Sequence, residues 1–213
     1  ITAPDKPAGR GRHLNESAVK QYALKQNLRI LQPEKLKNPE FLAELQSLKA
    51  ELQIVVAFRM LPEVVWNMPP MGTFNLHGSL LPKYRGAAPL NWAVINGETE
   101  TGVTTFLLSH EIDTGRVMFQ ERIPIEENDT VGDIHDQLME IGARLVLKTV
   151  DALAEGKVMA VDQTQMLAEG AELKHAPKIF MEDCRIDWAR DCESVRNLIR
   201  GLSPYPTAWT EMV

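Results

Sequence analysis

FNLHGSLLPKYRGAAPLNW (74–92) is the stretch on which the reading of the fold turns. An apolar strand delivers His77 to its carboxyl end. A loop punctuated by glycine and proline follows, and Ala87 to Ile95 then reads as a helix. Upstream, Ile54-Val55-Val56-Ala57-Phe58 is a continuous apolar run, which suits a parallel strand covered on both faces. Before it, Asn38-Pro39-Glu40 opens a helix, with Asn as cap and proline at the first helical position. Phe41, Leu42, Leu45 and Leu48 give that helix an apolar face. Further upstream, Asn15 to about Gln26 has helical spacing with Val19, Tyr22 and Ala23 on one side. Leu28–Leu31 is a short strand candidate, and residues 1–14 read as an exposed loop.

Downstream, Val103–Leu108 and Val117–Ile123 are β-rich and flank the polar loop HEIDTG (110–115). Thr130 and Asp133 make a capping-box start for a long helix that stops near Gly156. Its inward face is expected at Ile134, Leu138, Ile141, Leu145 and Val150. Strand and helix therefore alternate to about residue 155, which predicts a doubly wound, mostly parallel, Rossmann-like α/β sheet. Periodicity fades over 156–176, which reads as a linker. Residues 177–213 begin something new and are too short for an independent core. The expected partition is 1–155, 156–176 and 177–213. Ile1 at the start and an apolar stretch at the end suggest a segment of a longer protein.

Composition narrows the class. The chain has 213 residues, 44% hydrophobic and 24% charged, as in ordinary globular domains. Two cysteines, Cys184 and Cys192, are too few for a disulfide framework or a four-cysteine zinc site. No apolar run approaches the ~20 residues that span a bilayer. No membrane association and a cytoplasmic location are the expectations. A net charge of −6 argues against a protein dominated by phosphate binding. The charge is uneven, however. Residues 1–29 hold six basic against two acidic side chains, net +4, which leaves −10 for residues 30–213. A basic patch there fits either nucleic acid or a plain solvated face.

Few residues could carry chemistry. Asn75 and His77 are two apart on a strand and so share a face, and ligands bind at the carboxyl ends of strands in open α/β sheets. Histidine is the usual proton carrier near neutral pH, and an Asn amide can donate to a developing oxyanion. Asp113, in the loop between two strands, could orient an imidazole, although on local pattern alone Asp-Thr-Gly is more often turn chemistry. Ser79 reads as a turn residue. There is no metal-ligand spacing, phosphate loop, dinucleotide fingerprint or nucleophile elbow.

FNLHGSLLPKYRGAAPLNW, followed by GETETGVTTFLLSHEIDTG (97–115), resembles the folate-dependent formyltransferases. PDKPAGRG (4–11) and RIDW (185–188) more narrowly resemble those that act on methionyl-tRNA in translation initiation. The resemblance implies a catalytic domain lacking its first strand and helix, followed by the start of a truncated, OB-like tRNA-binding domain. It implies formyl transfer from 10-formyltetrahydrofolate to the α-amino group of methionyl-initiator tRNA by a monomer, without a metal. Asn75 would hold the oxyanion, His77 would carry the proton, and Asp113 would orient His77. Phe58, Arg59, Met60, Leu61, Ser79, Leu80, Leu81, Pro82, His110 and Ile112 would receive the folate. Lys6, Arg10 and Arg12 would meet tRNA. The alternatives are a sugar-nucleotide N-formyltransferase and a non-catalytic tRNA- or folate-binding module.

Overall fold

The computed structural model describes residues 1–8, 13–57, 60–167 and 173–211, with 6–8 and 13–15 described by backbone alone. Arg10, Arg12, Phe58 and Arg59 lie outside the described residues. The chain forms two compact units: Ile1–Glu51 with Arg59–Pro70, and Leu52–Phe58 with Met71–Val213.

The first unit begins with a two-stranded antiparallel ribbon, β1 (Lys6–Ala8) and β2 (His13–Asn15). Helix α1 (Ala18–Lys25) starts at Ser17, whose hydroxyl accepts from the Lys20 amide at 3.2 Å. The Lys20 ammonium pairs with Asp5 and, at 2.8 Å, with Glu16 one turn back. The helix buries none of its side chains, and Val19 and Tyr22 stand exposed, so the apolar side read from spacing is not a core face. The strand expected at 28–31 does not form. Thr2 donates to the Leu31 carbonyl at 3.0 Å, but this contact does not extend into a ladder. Helix α2 (Pro39–Ser47) starts as its sequence dictates: the Asn38 side chain accepts from the amides of Glu40 at 2.8 Å and Phe41 at 3.3 Å. Phe41 and Leu45 face inward. The short helix α3 (Glu63–Trp66) completes this unit.

The second unit is built on a sheet of β3 (Gln53–Val56), β4 (Thr73–His77), β6 (Glu100–Leu107) and β7 (Val117–Pro124), in that order. Between β4 and β6 lie β5 (Arg85–Gly86) and α4 (Pro89–Ile95). The α/β class expected from the sequence is what forms. One detail needs correction: parallel pairing in the described sheet is confined to β3–β4, whereas β4–β6 and β6–β7 are antiparallel. The polar loop 108–116 closes a direct hairpin, and a hairpin can only join antiparallel strands.

Helix α5 (Val131–Ala154) covers this sheet. Its capping box is reciprocal: Thr130 accepts from the Asp133 amide at 3.3 Å, and the Asp133 carboxylate accepts from the Thr130 amide at 2.9 Å. Ile134, Leu138 and Leu145 pack into a core with Val94, Val103 and Ile123. Each such side chain contributes about 1.5–3 kcal/mol by burial. The last inward position is Thr149, not Val150. The 3.6-residue turn brings position 149 under Leu145. Its hydroxyl donates to the Leu145 carbonyl at 2.7 Å and accepts from Thr105 at 2.9 Å.

Past α5, Val161 forms a bridge to Val117. A single 3-10 turn, Gln163–Met166, and the two-residue strand β8 (His175–Ala176) follow. Helix α6 (Cys192–Gly201) is capped by Asp191, which accepts from the Ser194 amide at 2.8 Å. Cys184, Leu198 and Leu202 pack with Ile95 and Trp209. None of the described helices is long and apolar enough to cross a membrane.

Candidate active site

Strand β4 ends at His77, and its alternation places Asn75 and His77 on one face. Opposite them on β6 lie Phe106 and Thr104 respectively. The Phe106 ring is fully buried and meets the His77 ring edge-on at 6.4 Å between centroids. The imidazole is itself buried and has one short hydrogen bond, from Nε2 to the Tyr84 carbonyl at 2.9 Å. A carbonyl only accepts, so Nε2 carries the hydrogen. In the neutral ring the lone pair is therefore on Nδ1. That atom faces the Asp113 carboxylate, whose Oδ2 is 3.8 Å away. The distance is too long for a hydrogen bond. The free ring nitrogen thus lies toward Asp113, and the ring N–H is held by a backbone carbonyl.

The Tyr84 carbonyl is held firmly. Tyr84 sits at φ 61°, a left-handed conformation that costs a bulky residue energy. Its hydroxyl donates to Glu98 at 2.7 Å and accepts from Asn96 at 3.2 Å. Lys174 donates to the same Glu98 oxygen at 2.6 Å. Burial and the bond to Glu98 push the Tyr84 phenol well above its usual range. Burial also pulls the Glu98 carboxyl upward, but the bonds from Lys174 and Tyr84 outweigh it and hold the group below its ordinary value.

Asp113 is fixed from both ends. Its Oδ2 accepts from the Gly86 amide at 2.9 Å, and its carbonyl accepts from Gln163 Nε2 at 2.8 Å. Glycine is required at 86: φ is +127°, and a Cβ there would lie 2.3 Å from the Ala176 carbonyl oxygen. This close approach allows β5 to pair in parallel with β8.

Asn75 differs from its neighbours. Its Oδ1 is buried and has no partner among the described residues. A buried amide oxygen left unpaired costs about 1–3 kcal/mol. A half-turn of the same amide would present its NH2 group there instead. Either way, one polar position of Asn75 is unpaired among the described residues.

The remaining expected residues divide. Ser79 is fully buried: its hydroxyl donates to the Lys83 carbonyl at 2.8 Å, and its own carbonyl accepts from Thr104 at 2.6 Å. Leu81 is buried against Phe106 and Val117, and Pro82 is buried beside it. The side chains of Ser79 and Leu81 thus hold the loop in place rather than face outward. Leu80 is half-buried, whereas His110 and Ile112 are exposed on the 110–115 loop. Met60 is exposed and Leu61 half-buried, both in the first unit. Lys6 is described only as backbone.

Sequence reasoning missed Tyr84, Gly86, Thr104, Gln120 and Gln163. The Thr104 hydroxyl donates to Ser79 and accepts from Gln120 at 2.9 Å and from the Leu81 amide at 3.2 Å, using its full capacity. Gln120 also donates to the Leu81 carbonyl at 2.9 Å. Only Gly86 carried a local signal, as a glycine inside the loop. No cluster of metal-ligating side chains occurs among the described residues.

A buried histidine with a defined tautomer, a carboxylate beyond its free nitrogen and an unused amide can move a proton and stabilise a developing negative charge. Comparison with known proteins narrows the chemistry. The formyl transferase family model matches residues 1–150, and that of the formyl transferase C-terminal domain matches 178–213. Methionyl-tRNA formyltransferase of Bacteroides fragilis is 65% identical over 213 residues, all of this chain and 65% of that protein. The protein of the same name from Parabacteroides distasonis is 62% identical, covering 100% of this chain and 66% of its own length. The chain therefore spans about two-thirds of the relatives it matches. Among solved structures, HypX from Aquifex aeolicus in complex with tetrahydrofolic acid superposes with a TM-score of 0.66 at 26% identity, over 82% of this chain and 30% of that one. A sugar N-formyltransferase from a Shewanella species gives 0.71 at 20% identity, over 89% and 74%, a likeness of fold alone.

Proposed function

This chain belongs to the formyl transferase family, and we propose that it moves a formyl group from 10-formyltetrahydrofolate to the α-amino group of methionyl-initiator tRNA. The observation that carries this reading is the His77 ring. Its Nε2–H is held by the Tyr84 carbonyl, and its Nδ1 is open toward Asp113 and close in sequence to the unpaired Asn75 amide. The unpaired atom is Oδ1; with the amide turned, its NH2 group points there instead and can donate to a formyl oxygen.

The residues divide the work. Asn75, with its NH2 turned toward the site, donates to the oxygen as negative charge develops on it. The amine nitrogen bonds to the formyl carbon, and the bond from that carbon to the folate nitrogen breaks. His77 Nδ1 takes the proton lost by the amine and returns it to the departing folate nitrogen, so the ring ends as it began. Asp113 stabilises the charged ring in between, and the Gly86 amide keeps the carboxylate aimed. The exposed His110 and Ile112, with Leu80 and residues 58–61, are the groups we assign to folate. Lys6, Arg10 and Arg12, within residues 1–29 of net charge +4, are those assigned to tRNA. The enzyme acts as a monomer in the cytoplasm.

The choice of acceptor rests on the identity to proteins named for methionyl-tRNA. Offering the native protein charged initiator tRNA and an amino-sugar nucleotide side by side tests it. Formylmethionine is the expected product. Formylated sugar would keep the site and overturn the acceptor.

A further inference from the structure

We infer that Gln163, in the segment expected merely to connect two domains, is a positioning residue that sets where Asp113 stands for formyl transfer. The inference rests on the function proposed above for its kinetic readout, but not for its structural one.

The Gln163 amide is 1% exposed and uses its full hydrogen-bonding capacity. Its two N–H groups donate to the carbonyls of Asp113 at 2.8 Å and Gly115 at 2.7 Å. Its oxygen accepts from Arg85 Nε at 3.0 Å and Nη2 at 2.7 Å. The circuit then closes, because Arg85 adjoins Gly86, whose amide holds the Asp113 carboxylate at 2.9 Å. Asp113 has φ 55°, a left-handed conformation available to aspartate but not favoured by it. Outside bonds on both of its ends select that conformation.

The turn that carries Gln163 is itself anchored. Asp162 accepts from the Thr164 amide at 2.9 Å and from its hydroxyl at 2.8 Å. Val161 and Val117 exchange backbone bonds at 2.8 and 2.9 Å. Met166, three residues on, packs against the cluster of Leu81, Phe106 and Val117. A 3-10 turn brings positions three apart to one side, so one side chain reaches the apolar cluster beside His77 and the other the loop that carries Asp113. The hydrogen bonds of the Gln163 amide go to Arg85, Asp113 and Gly115, so its effect on the site passes through Asp113.

Two substitutions separate donation from volume. Gln163→Glu keeps an acceptor for Arg85 but puts an oxygen in place of the donor to the loop carbonyls. Gln163→Met keeps the bulk without polarity. Both should lower kcat by on the order of 10–100-fold, as expected when a catalytic group is displaced by about 1 Å. KM for methionyl-tRNA should stay within about twofold, since the residues assigned to tRNA lie at 6–12, outside this loop. A readout independent of activity is hydrogen exchange at the Gly86 amide, which reports its bond to Asp113 directly. That exchange should accelerate at least about tenfold in both variants, while the Leu108 amide, bonded at 2.8 Å to Thr73, keeps its protection. Unchanged Gly86 exchange in a folded variant would overturn the inference, as would kcat equal to that of an active wild type. An inactive wild type would count against the proposed function instead, and Gly86 exchange alone would then decide the role of Gln163.

Discussion

Replacing His77 with glutamine lowers formyl transfer by about 10²–10⁴-fold, the usual contribution of a positioned proton carrier, while the protein still folds. Glutamine is the informative substitution because its amide N–H can still reach the Tyr84 carbonyl, which His77 Nε2 holds at 2.9 Å. The orienting bond and most of the buried volume are kept. What is lost is the basic nitrogen that faces Asp113. The measurement is kcat together with a urea unfolding midpoint. Activity within tenfold of wild type would leave Nδ1 without a chemical role. A collapse of the midpoint would mean that the histidine serves chiefly to hold β4 to its loop.

The second large effect is expected at Gly115. A Cβ there would sit 1.6 Å from the Leu107 carbonyl oxygen and 2.8 Å from its carbon. Those are backbone atoms of β6, so no rotamer relieves the overlap and the hairpin itself must open. Gly115→Ala should cost at least the upper end of the ~1–3 kcal/mol typical of overpacking. Transfer should fall with it, because the Gly115 carbonyl is one of the two that Gln163 holds. Urea unfolding and kcat on the same preparation check both halves. A variant with the wild-type midpoint would show that the loop and β6 do not meet as described.

What could be read from the sequence was local. The β4–loop–α4 passage was legible because strand alternation, loop glycines and a helix follow one another within 74–92. The same holds for the Asn38 and Thr130 caps, which act over two or three residues. Asn75 and His77 could be paired because a strand repeats every two residues. The Leu28–Leu31 stretch shows the limit: its composition suits a strand, but strand structure needs a partner ladder. Spacing likewise put Val19 and Tyr22 on one side of a helix without showing whether anything would cover it.

The parts of the site that stayed hidden depend on distant pairings. Thr104 and Gln120 face the loop only because β6 lies antiparallel between β4 and β7. Gln163 reaches Asp113 across 50 residues of chain. Threonine and glutamine in ordinary polar surroundings carry no local mark of such a role. The Ser79–Pro82 stretch shows the converse. A recognisable motif suggested ligand contact, whereas the structure spends the groups of Ser79 and Leu81 on bonds and packing inside the domain.

The most direct test of the whole account is a single turnover of the native protein with radiolabelled 10-formyltetrahydrofolate and an equal amount of methionyl-initiator tRNA. The label should appear as formylmethionine on tRNA, with one tetrahydrofolate released for each group transferred. Label recovered as free formate, or left on folate while charged tRNA is present, would contradict it.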